Sequence, residues 1–585
     1  MRMRLKTADP DRLELKNKKG MWKRYVKLFL RCRLPWLLLA IYLILDLGLV
    51  NVGVNETDYT VQLFAGDTSP GLLIRLIAVI VINLVGTSLL VFMRIVTSGR
   101  MDQNMRNVLI EKIMRLPMSY FKRENPRDAV YRIVRNATVI DNSVMYVIIP
   151  MVTAGYTAFA VIRRVFSHDW RLSAMMLAFL PIQIVIAIIF GRINFSLGER
   201  DADLNAGLME RLAEMVTNIP LAKAFAKEKR ETEKGENLTA RLYRLNIKAS
   251  WLSQVKDLSE NAVTLAQSAA MTLVGMFLLR SGDINTRAWI SFFMFSSTFN
   301  NAVFELLMYW NNVKSIQGSA DRVAEIMDAR EEDFSGEPCG DLSGDLELKN
   351  VRFAYEEDQT LLTDVSCVFP DNCVTALLGV SGCGKTTLVN LLTRLYDPQS
   401  GSITVNGRDI HDYALDDYRS QFVMVSQNGM LFSGTVRENV SYGNGDVSDA
   451  EVTEALKKAG AYDFVMAMPG RLDARLEEYG GNLSGGQRQR LTVARALLSK
   501  AHYIILDEPA ASMDAIAAAE LMAALGEAAK GRCMIVIAHT AAVLSLADRV
   551  AVVEDGVVTA QGSVAEAAER SAFLRAFTGK EGSAV

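Results

Sequence analysis

The chain has 585 residues, half of them apolar, and its 64 Lys and Arg nearly balance 66 Asp and Glu to leave a net charge of −2. That length exceeds one domain, and the composition is too oily for an ordinary soluble protein yet too mixed for a chain lying wholly in a membrane. A net charge so close to zero argues against nucleic acid as the main partner.

Residues 1–20 are polar and basic and lack a small-residue cleavage site, so they do not form a secretory signal. From 21 to 33 the pattern turns amphipathic. Trp22, Tyr25, Val26 and Phe29 share one helical face, and Lys23, Arg24, Lys27 and Arg31 gather on the other, which suits a helix lying in the inner membrane interface. Six apolar stretches follow at 34–54, 72–96, 145–165, 174–193, 262–279 and 288–310. Each is about 20 residues, the length that crosses a hydrocarbon core of ~30 Å. The segment 34–327 is therefore expected to be an all-α domain of six transmembrane helices.

The N-terminal flank is crowded with Lys and Arg, whereas the connection 55–69 holds Glu56, Asp58 and Asp67 and no basic residue. The positive-inside rule then puts the N-terminus in the cytoplasm and turns the Asn55-Glu56-Thr57 sequon outward. Six crossings return the chain to the cytoplasm. Arg75 and Arg94, near the ends of the second span, read as snorkelling side chains. In the sixth span Met294, Ser297, Asn301, Glu305, Met308 and Asn312 fall on one helical stripe. An ionisable residue at membrane depth costs about 2.5–3.5 kcal/mol on insertion scales and usually faces the bundle interior or water. On one reading Asp46, Ser297, Asn301 and Glu305 line a cavity suited to a cationic amphipathic cargo; on the other, Glu305 and Asn301 bridge helices or sit in water at the membrane edge.

An acidic stretch with Gly and Pro, 328–344, reads as a linker. From 345 to 585 strands and helices alternate as in an α/β domain. Within it, Gly379 to Leu388 reads GVSGCGKTTL, between an apolar strand at 374–378 and a helix. A G-x-x-x-x-G-K-[ST] loop in that setting is a phosphate cradle. Its glycines let N–H groups turn inward, the helix N-terminus adds partial positive charge, Lys385 reaches the β- and γ-phosphates and the Thr386 hydroxyl ligates Mg²⁺. Tyr503 to Leu506 is a run of apolar residues suited to a parallel strand buried on both faces. It ends in Asp507, placed to orient Mg²⁺ through water, and Glu508, placed to polarise an attacking water. The cysteines, Cys32, Cys339, Cys367, Cys373, Cys383 and Cys533, show no metal-ligand spacing and read as reduced cytoplasmic thiols.

With LSGGQ at Leu483 to Gln487 added to these motifs, the chain resembles an ATP-binding cassette transporter of the exporter-fold type, a half-transporter with fused membrane and ATPase domains. The resemblance covers nearly the whole chain. It implies a P-loop ATPase using ATP and Mg²⁺, multi-pass in the cell membrane, with a second half-transporter as partner in a homodimer or heterodimer. It assigns ATP contacts to Tyr355, which would stack on adenine, and to Gly379, Ser381, Gly382, Cys383, Gly384, Lys385, Thr386 and Thr387. Ser484 and Gly486 would bind the γ-phosphate held on the other subunit, and Gly485 and Gln487 count among the ATP contacts. Gln427 would serve metal and water, Glu478 would sense the membrane domain, and Asp514 and His539 would complete the site, His539 as the γ-phosphate switch. The connections 120–142 and 208–225 resemble the family's coupling loops, although Arg127-Asp128 stands where a glycine is usual after Asn-Pro. The implied cargo is a drug, lipid or peptide moved outward. Inward movement of metal–siderophore complexes is the alternative. A chromosome- or repair-type ATPase shares the signature but lacks spans and carries long coiled coils, and 1–20 is too short for the peptidase that some peptide exporters carry.

Overall fold

The computed structural model describes residues 29–123, 137–167, 169–356, 359–427, 429–510, 515–538 and 541–579. Two compact units emerge, one comprising Met1–Arg115 with Glu124–Ala329, the other Leu116–Arg123 with Arg330–Val585. Most of the amphipathic segment 21–33, the Arg127-Asp128 turn, Asp514 and His539 lie outside the described residues.

The first unit is helical, and its first two long elements are α1 (Trp36–Phe64) and α2 (Pro70–Met114). The short helix α3 (Met118–Arg123) groups with the second unit. Next, α4 (Ala137–Ser143) passes through a π-helical turn at Val144–Ile148 into α5 (Ile149–Phe166). The wide turn has a local cause: Pro150 has no N–H to give, and the Ile149 N–H reaches back to the Val144 carbonyl. A second proline, Pro181, marks the break between α6 (Trp170–Ala178) and α7 (Leu180–Thr217). The short α8 (Ile219–Ala224) then leads to α9 (Glu228–Arg280), and α10 (Thr286–Asp328) closes the unit, its start capped by Asn285, whose Oδ1 accepts from the Ala288 N–H at 2.7 Å.

Among the described residues, five helical runs in this unit, at Trp36–Phe64, Pro70–Met114, Thr138–Phe166, Ser173–Thr217 and Glu228–Arg280, are long and apolar enough to cross a membrane. The sixth expected span lies in α10, which is long enough, but its serines, asparagines and Glu305 dilute its apolar character. Much of the apolar surface stays uncovered: Ile74, Ile77, Ile82, Leu84 and Val85 of α2 are all exposed. Side chains of this kind outside a packed core suit a hydrocarbon surround, where a helix satisfies its own backbone. Polar groups bind the helices to one another. Arg164 of α5 pairs with the buried Asp58 of α1, and Gln183 of α7 donates to Asn300 of α10 at 3.2 Å.

One expectation changes here. The connection 55–69 is not mainly loop, because α1 runs on to Phe64. No Gly or Pro interrupts Asn55 to Phe64, and the acidic residues there have partners within the bundle: Asp58 has Arg164, and Glu56 accepts from Asn83 of α2 at 2.7 Å.

The second unit holds an antiparallel sheet of order β2-β1-β4-β5, a six-stranded sheet of order β12-β11-β3-β10-β9-β6, and a two-stranded pair of β7 (Gly434–Thr435) with β8 (Arg475–Leu476). The first comprises β1 (Leu346–Glu356), β2 (Gln359–Phe369), β4 (Ser400–Val405) and β5 (Arg408–Asp409). In the second, β3 (Val374–Leu378), β6 (Phe422–Val425), β9 (Tyr503–Asp507), β10 (Cys533–Ile537) and β11 (Arg549–Glu554) run parallel, and β12 (Val557–Gly562) pairs antiparallel at the edge. β3 and β10 are buried along their whole lengths, which is why they read as unbroken apolar runs. The linker is a strap rather than a free tether. Glu332 takes both guanidinium nitrogens of Arg419 at 2.8 and 2.7 Å, Glu337 pairs with Arg408 at 2.7 Å, and the Gly344 carbonyl accepts from the Tyr503 hydroxyl at 2.9 Å.

His411 sits between two carboxylates, Nε2 at 3.0 Å from Asp397 and Nδ1 at 2.8 Å from Asp409. The bond to Asp397, opposed by partial burial and aided by Asp409, raises its pKa above the usual histidine value. A raised folded-state pKa gives a contribution fully present below about pH 6.5 and lost as pH rises through the folded value. With the His411 side chain 44% exposed, screening holds it under about 1 kcal/mol. Thermal unfolding of wild type and His411→Gln at acid and alkaline pH should show the larger gap at acid pH; a gap that widens toward alkaline pH contradicts the assignment.

Candidate nucleotide site

The six-stranded sheet brings the chemistry together. Ile537 at the end of β10 is level with Leu377 on β3 and with Asp507 on β9. The loop after β3 and the carboxylates after β9 therefore leave the sheet at the same carboxyl edge, the edge where open parallel sheets hold ligands.

The loop's shape depends on glycine at two points. Gly379 has φ 151°, and a Cβ there would fall 2.2 Å from the Val553 carbonyl oxygen; Gly384 has φ 109°, and a Cβ there would meet the Leu362 side chain at 2.6 Å. Gly384 leads into α11 (Lys385–Leu392). Lys385 is buried, its Nζ donating to the carbonyls of Gly379 at 2.8 Å and Val380 at 2.9 Å. Ser381, Gly382 and Thr386 are exposed at the mouth, whereas Cys383 and Thr387 are buried beneath it. The Thr387 hydroxyl donates to the Tyr355 hydroxyl at 3.1 Å, which brings the aromatic of β1 onto the phosphate-loop helix.

On the other side of β10, Glu508 occupies the left-handed region at φ 52°, a conformation costly for a non-glycine residue, and its N–H donates to the Ile537 carbonyl at 3.1 Å. Gln427, two residues past β6, donates through Nε2 to Glu508 Oε2 at 2.9 Å. The Gln489 side chain donates to the Glu508 carbonyl. Gln489 was not singled out in the sequence, although its position two residues past the signature was the available signal. The structure thus joins Gln427 with Glu508, and Tyr355 with Thr387.

LSGGQ forms the start of α16 in the sequence of helices continued by α12 (Leu415–Ser420), α13 (Val436–Ser441), α14 (Asp449–Lys458) and α15 (Tyr462–Ala467); α16 spans Gly485–Leu498. Ser484 caps it in a reciprocal box. Its hydroxyl accepts from the Gln487 N–H at 3.3 Å, and Gln487 Oε1 accepts from the Ser484 N–H at 2.9 Å. Ser484 and Gly485 are exposed and Gly486 is half-buried, so the helix N-terminus faces outward. Just before it, Glu478 begins a short turn in which Tyr479 is forced to φ 54°.

In the first unit, Ser297, Asn301 and Glu305 of α10 are exposed along one face, while Phe292, Phe295, Phe299 and Asn300 are buried on the others. Asp46 is tied to α5 by the Thr153 hydroxyl, which donates at 2.6 Å. Arg94 corrects the sequence reading. Rather than snorkelling, its guanidinium lies 5.1 Å from the centre of the Tyr146 ring and within electrostatic reach of Tyr42 and Tyr309. Tyr309 is within the same reach of both Asp46 and Glu305. Tyr146 thus gives the cation a partner within the helical unit; distance from a helix end does not reveal which way that residue faces. Arg75 stays at its own helix start, donating to the Gly71 carbonyl at 3.1 Å.

Two family models match the chain: the ABC transporter transmembrane region over residues 44–303 and the ABC transporter model over residues 362–511. An ATP-dependent lipid A-core flippase of Syntrophus aciditrophicus is 30% identical over 493 residues, covering 83% of this chain and 82% of its own. A multidrug resistance ABC transporter ATP-binding and permease protein of Lactococcus lactis is 28% identical over 514 residues, covering 87% and 84%. A bacterial Atm1-family ABC exporter with ATP bound superposes with a TM-score of 0.77 at 18% identity, over 97% of this chain and 99% of that one, and shares its fold. A helical membrane unit and a phosphate-loop ATPase unit in one polypeptide, both matched by their family models, make this chain a member of the ABC transporters of the exporter type, a multi-pass membrane protein whose ATPase is coupled to transport.

Proposed function

We propose that two copies of this chain, or one copy with a similar partner, export an amphipathic molecule, with each signature helix completing the other copy's nucleotide site. The observation that carries the hydrolytic part is the Gln427–Glu508 hydrogen bond at the sheet edge where the phosphate loop begins. Glu508 acts as general base on water. Thr386, Gln427 and Asp507 offer hydroxyl, amide and carboxylate oxygens, a hard donor set that fits Mg²⁺. Bound there, the ion neutralises charge on the phosphates. The outward N-terminus of α16 supplies unpaired N–H groups and partial positive charge to an anion approaching from outside the subunit. Asp514 and His539 keep the roles their positions in the sequence give them, and Tyr355 stacks on the base. The N-terminus and the ATPase face the cytoplasm.

For cargo, the exposed stripe Ser297, Asn301 and Glu305, with Asp46 and Arg94 nearby, supports a molecule with a charged head and an apolar body. The flippase and multidrug names of the relatives agree with such a molecule, and import of metal–siderophore complexes finds no support among them.

Three outcomes test this reading. Glu508→Gln should bind ATP normally and trap a closed dimer, with hydrolysis down by about 10²-fold or more; near-normal turnover removes Glu508 as the base. ATP-driven uptake of cationic amphiphiles into inside-out vesicles should fall in Glu305→Gln; unchanged transport across a cationic panel removes Glu305 from the cargo path. Residue-resolved alkylation should label the half-buried Cys339 and Cys373 first. Burial pushes the Cys367 thiol up to about 12, which makes it inert, and Cys383, only 6% exposed under the loop, should react slowly, more slowly still with MgATP, and with loss of ATPase. Full modification of Cys383 with unchanged ATPase contradicts its place at the phosphates.

A further inference from the structure

The short helix α3 carries a residue that no motif points to. Lys122 places its ammonium 3.3 Å from the centre of the Tyr355 ring. Two more rings and two hydrogen-bond donors touch the same side chain, which stays partly exposed. Phe353 and Tyr396 pack against it edge to face, with centroids at 4.9 and 5.2 Å and interplanar angles of 86° and 88°. Its hydroxyl accepts from Thr387 Oγ1 at 3.1 Å and from Asn390 Nδ2 at 3.4 Å. The lysine's own helix is stiffened by the edge-to-face pair Tyr120–Phe121, with centroids 5.5 Å apart.

We infer that Lys122 is a positioning residue for the nucleotide base: it fixes the plane of the Tyr355 ring from one side so that a free part of the ring receives the purine. The inference rests on the reading of Tyr355 as the base-stacking aromatic. The physics is direct. An aromatic side chain on a strand rotates about χ1 and χ2, and each rotation away from the binding pose lowers the fraction of sites ready for the base. Two perpendicular rings and two hydrogen bonds limit the tilt. The ammonium adds an attraction to the ring's negative face that is stronger where water is partly excluded. Lysine suits the task better than a neutral residue of the same length, because a Met stem would fill the space without drawing the ring toward it. The phosphates are gripped elsewhere, by the loop after β3, so Lys122 affects the base end of the nucleotide alone.

The test is MgATP hydrolysis by the full-length protein in lipid, measured in Lys122→Met, Lys122→Arg, Tyr355→Ala and the Lys122→Met/Tyr355→Ala double variant, with inorganic tripolyphosphate as a competitor lacking a base. Lys122→Met should raise KM for MgATP by roughly two- to tenfold with kcat reduced less than twofold, and Lys122→Arg should restore most of the affinity. Inhibition by tripolyphosphate should be unchanged, and the double variant should be no worse than Tyr355→Ala alone. A raised KM in Tyr355→Ala with an unmoved KM in Lys122→Met overturns the role of Lys122 and leaves the stacking assignment standing. An unmoved KM in Tyr355→Ala overturns the stacking assignment itself. Additive losses in the double variant, or weakened tripolyphosphate inhibition in Lys122→Met, would mean that the lysine acts on general structure and would also overturn the proposal.

Discussion

Parallel pairing of β10 with both β3 and β9 is the constraint on which the nucleotide site depends. A parallel strand needs a crossover to return, so residues far apart in the chain end level at one edge: Leu377, Ile537 and Asp507 share a register. Everything chemical follows from what leaves that edge. After β3 the chain must turn inward without side chains in the way, and Gly379 and Gly384 sit where a Cβ would strike the Val553 carbonyl or Leu362. After β9 the chain must turn sharply, and Glu508 adopts a left-handed conformation held by its N–H to Ile537. A relaxed backbone would aim its carboxylate elsewhere, and the hydrogen bond from Gln427 keeps it in place.

The membrane unit answers a different constraint. Without water to pair with backbone groups, its segments are long helices, and irregularities occur where proline removes a donor, at the π-turn before Pro150 and the break at Pro181. Polar side chains within it cluster on shared faces. Asn300 and Gln183 hold α10 to α7, whereas Ser297, Asn301 and Glu305 of the same helix are left uncovered by the chain's own packing. One helix thus carries an adhesive face and an open one, separated by its own 3.6-residue period.

How much of this could be read beforehand depended on whether chemistry or geometry chose the residue. The phosphate loop was legible because cradling a phosphate demands glycines, lysine and a hydroxyl at fixed spacing. The apolar strands were legible because burial on both faces leaves no alternation. Asn55 to Phe64 misled because acidic residues look like loop until Arg164 and Asn83 are seen to receive them. Arg94 misled because proximity to a span's end does not say which way the helix has turned it. Glu332 and Glu337 read as linker residues, yet they find arginines 87 and 71 residues away in sequence, Arg419 and Arg408. Lys122 and Gln489 were silent because they act across space on residues whose own roles must be known first.

The ATP site also limits how nucleotide energy can be used. The Lys385 ammonium is already satisfied by two carbonyls, and the Ser484 cap already uses the Gln487 N–H. A phosphate at Lys385 therefore replaces existing bonds, and the gain there is the difference between a neutral acceptor and an anionic one. That gain alone binds ATP without moving anything, because a ligand shifts an equilibrium only by its preference for one state over the other. Moving a population from 1:99 to 99:1 takes about 5.5 kcal/mol of such preference. Within one subunit the loop and carboxylates are fixed at the ends of β3 and β9, the two strands that flank β10, and offer little of it. In the proposed pairing of two subunits, the α16 N-terminus, exposed and aimed outward, is the element whose contact with phosphate can exist in one arrangement and be lost in the other. On that proposal the work of transport rests on the contact made across the seam rather than on the tighter grip within it.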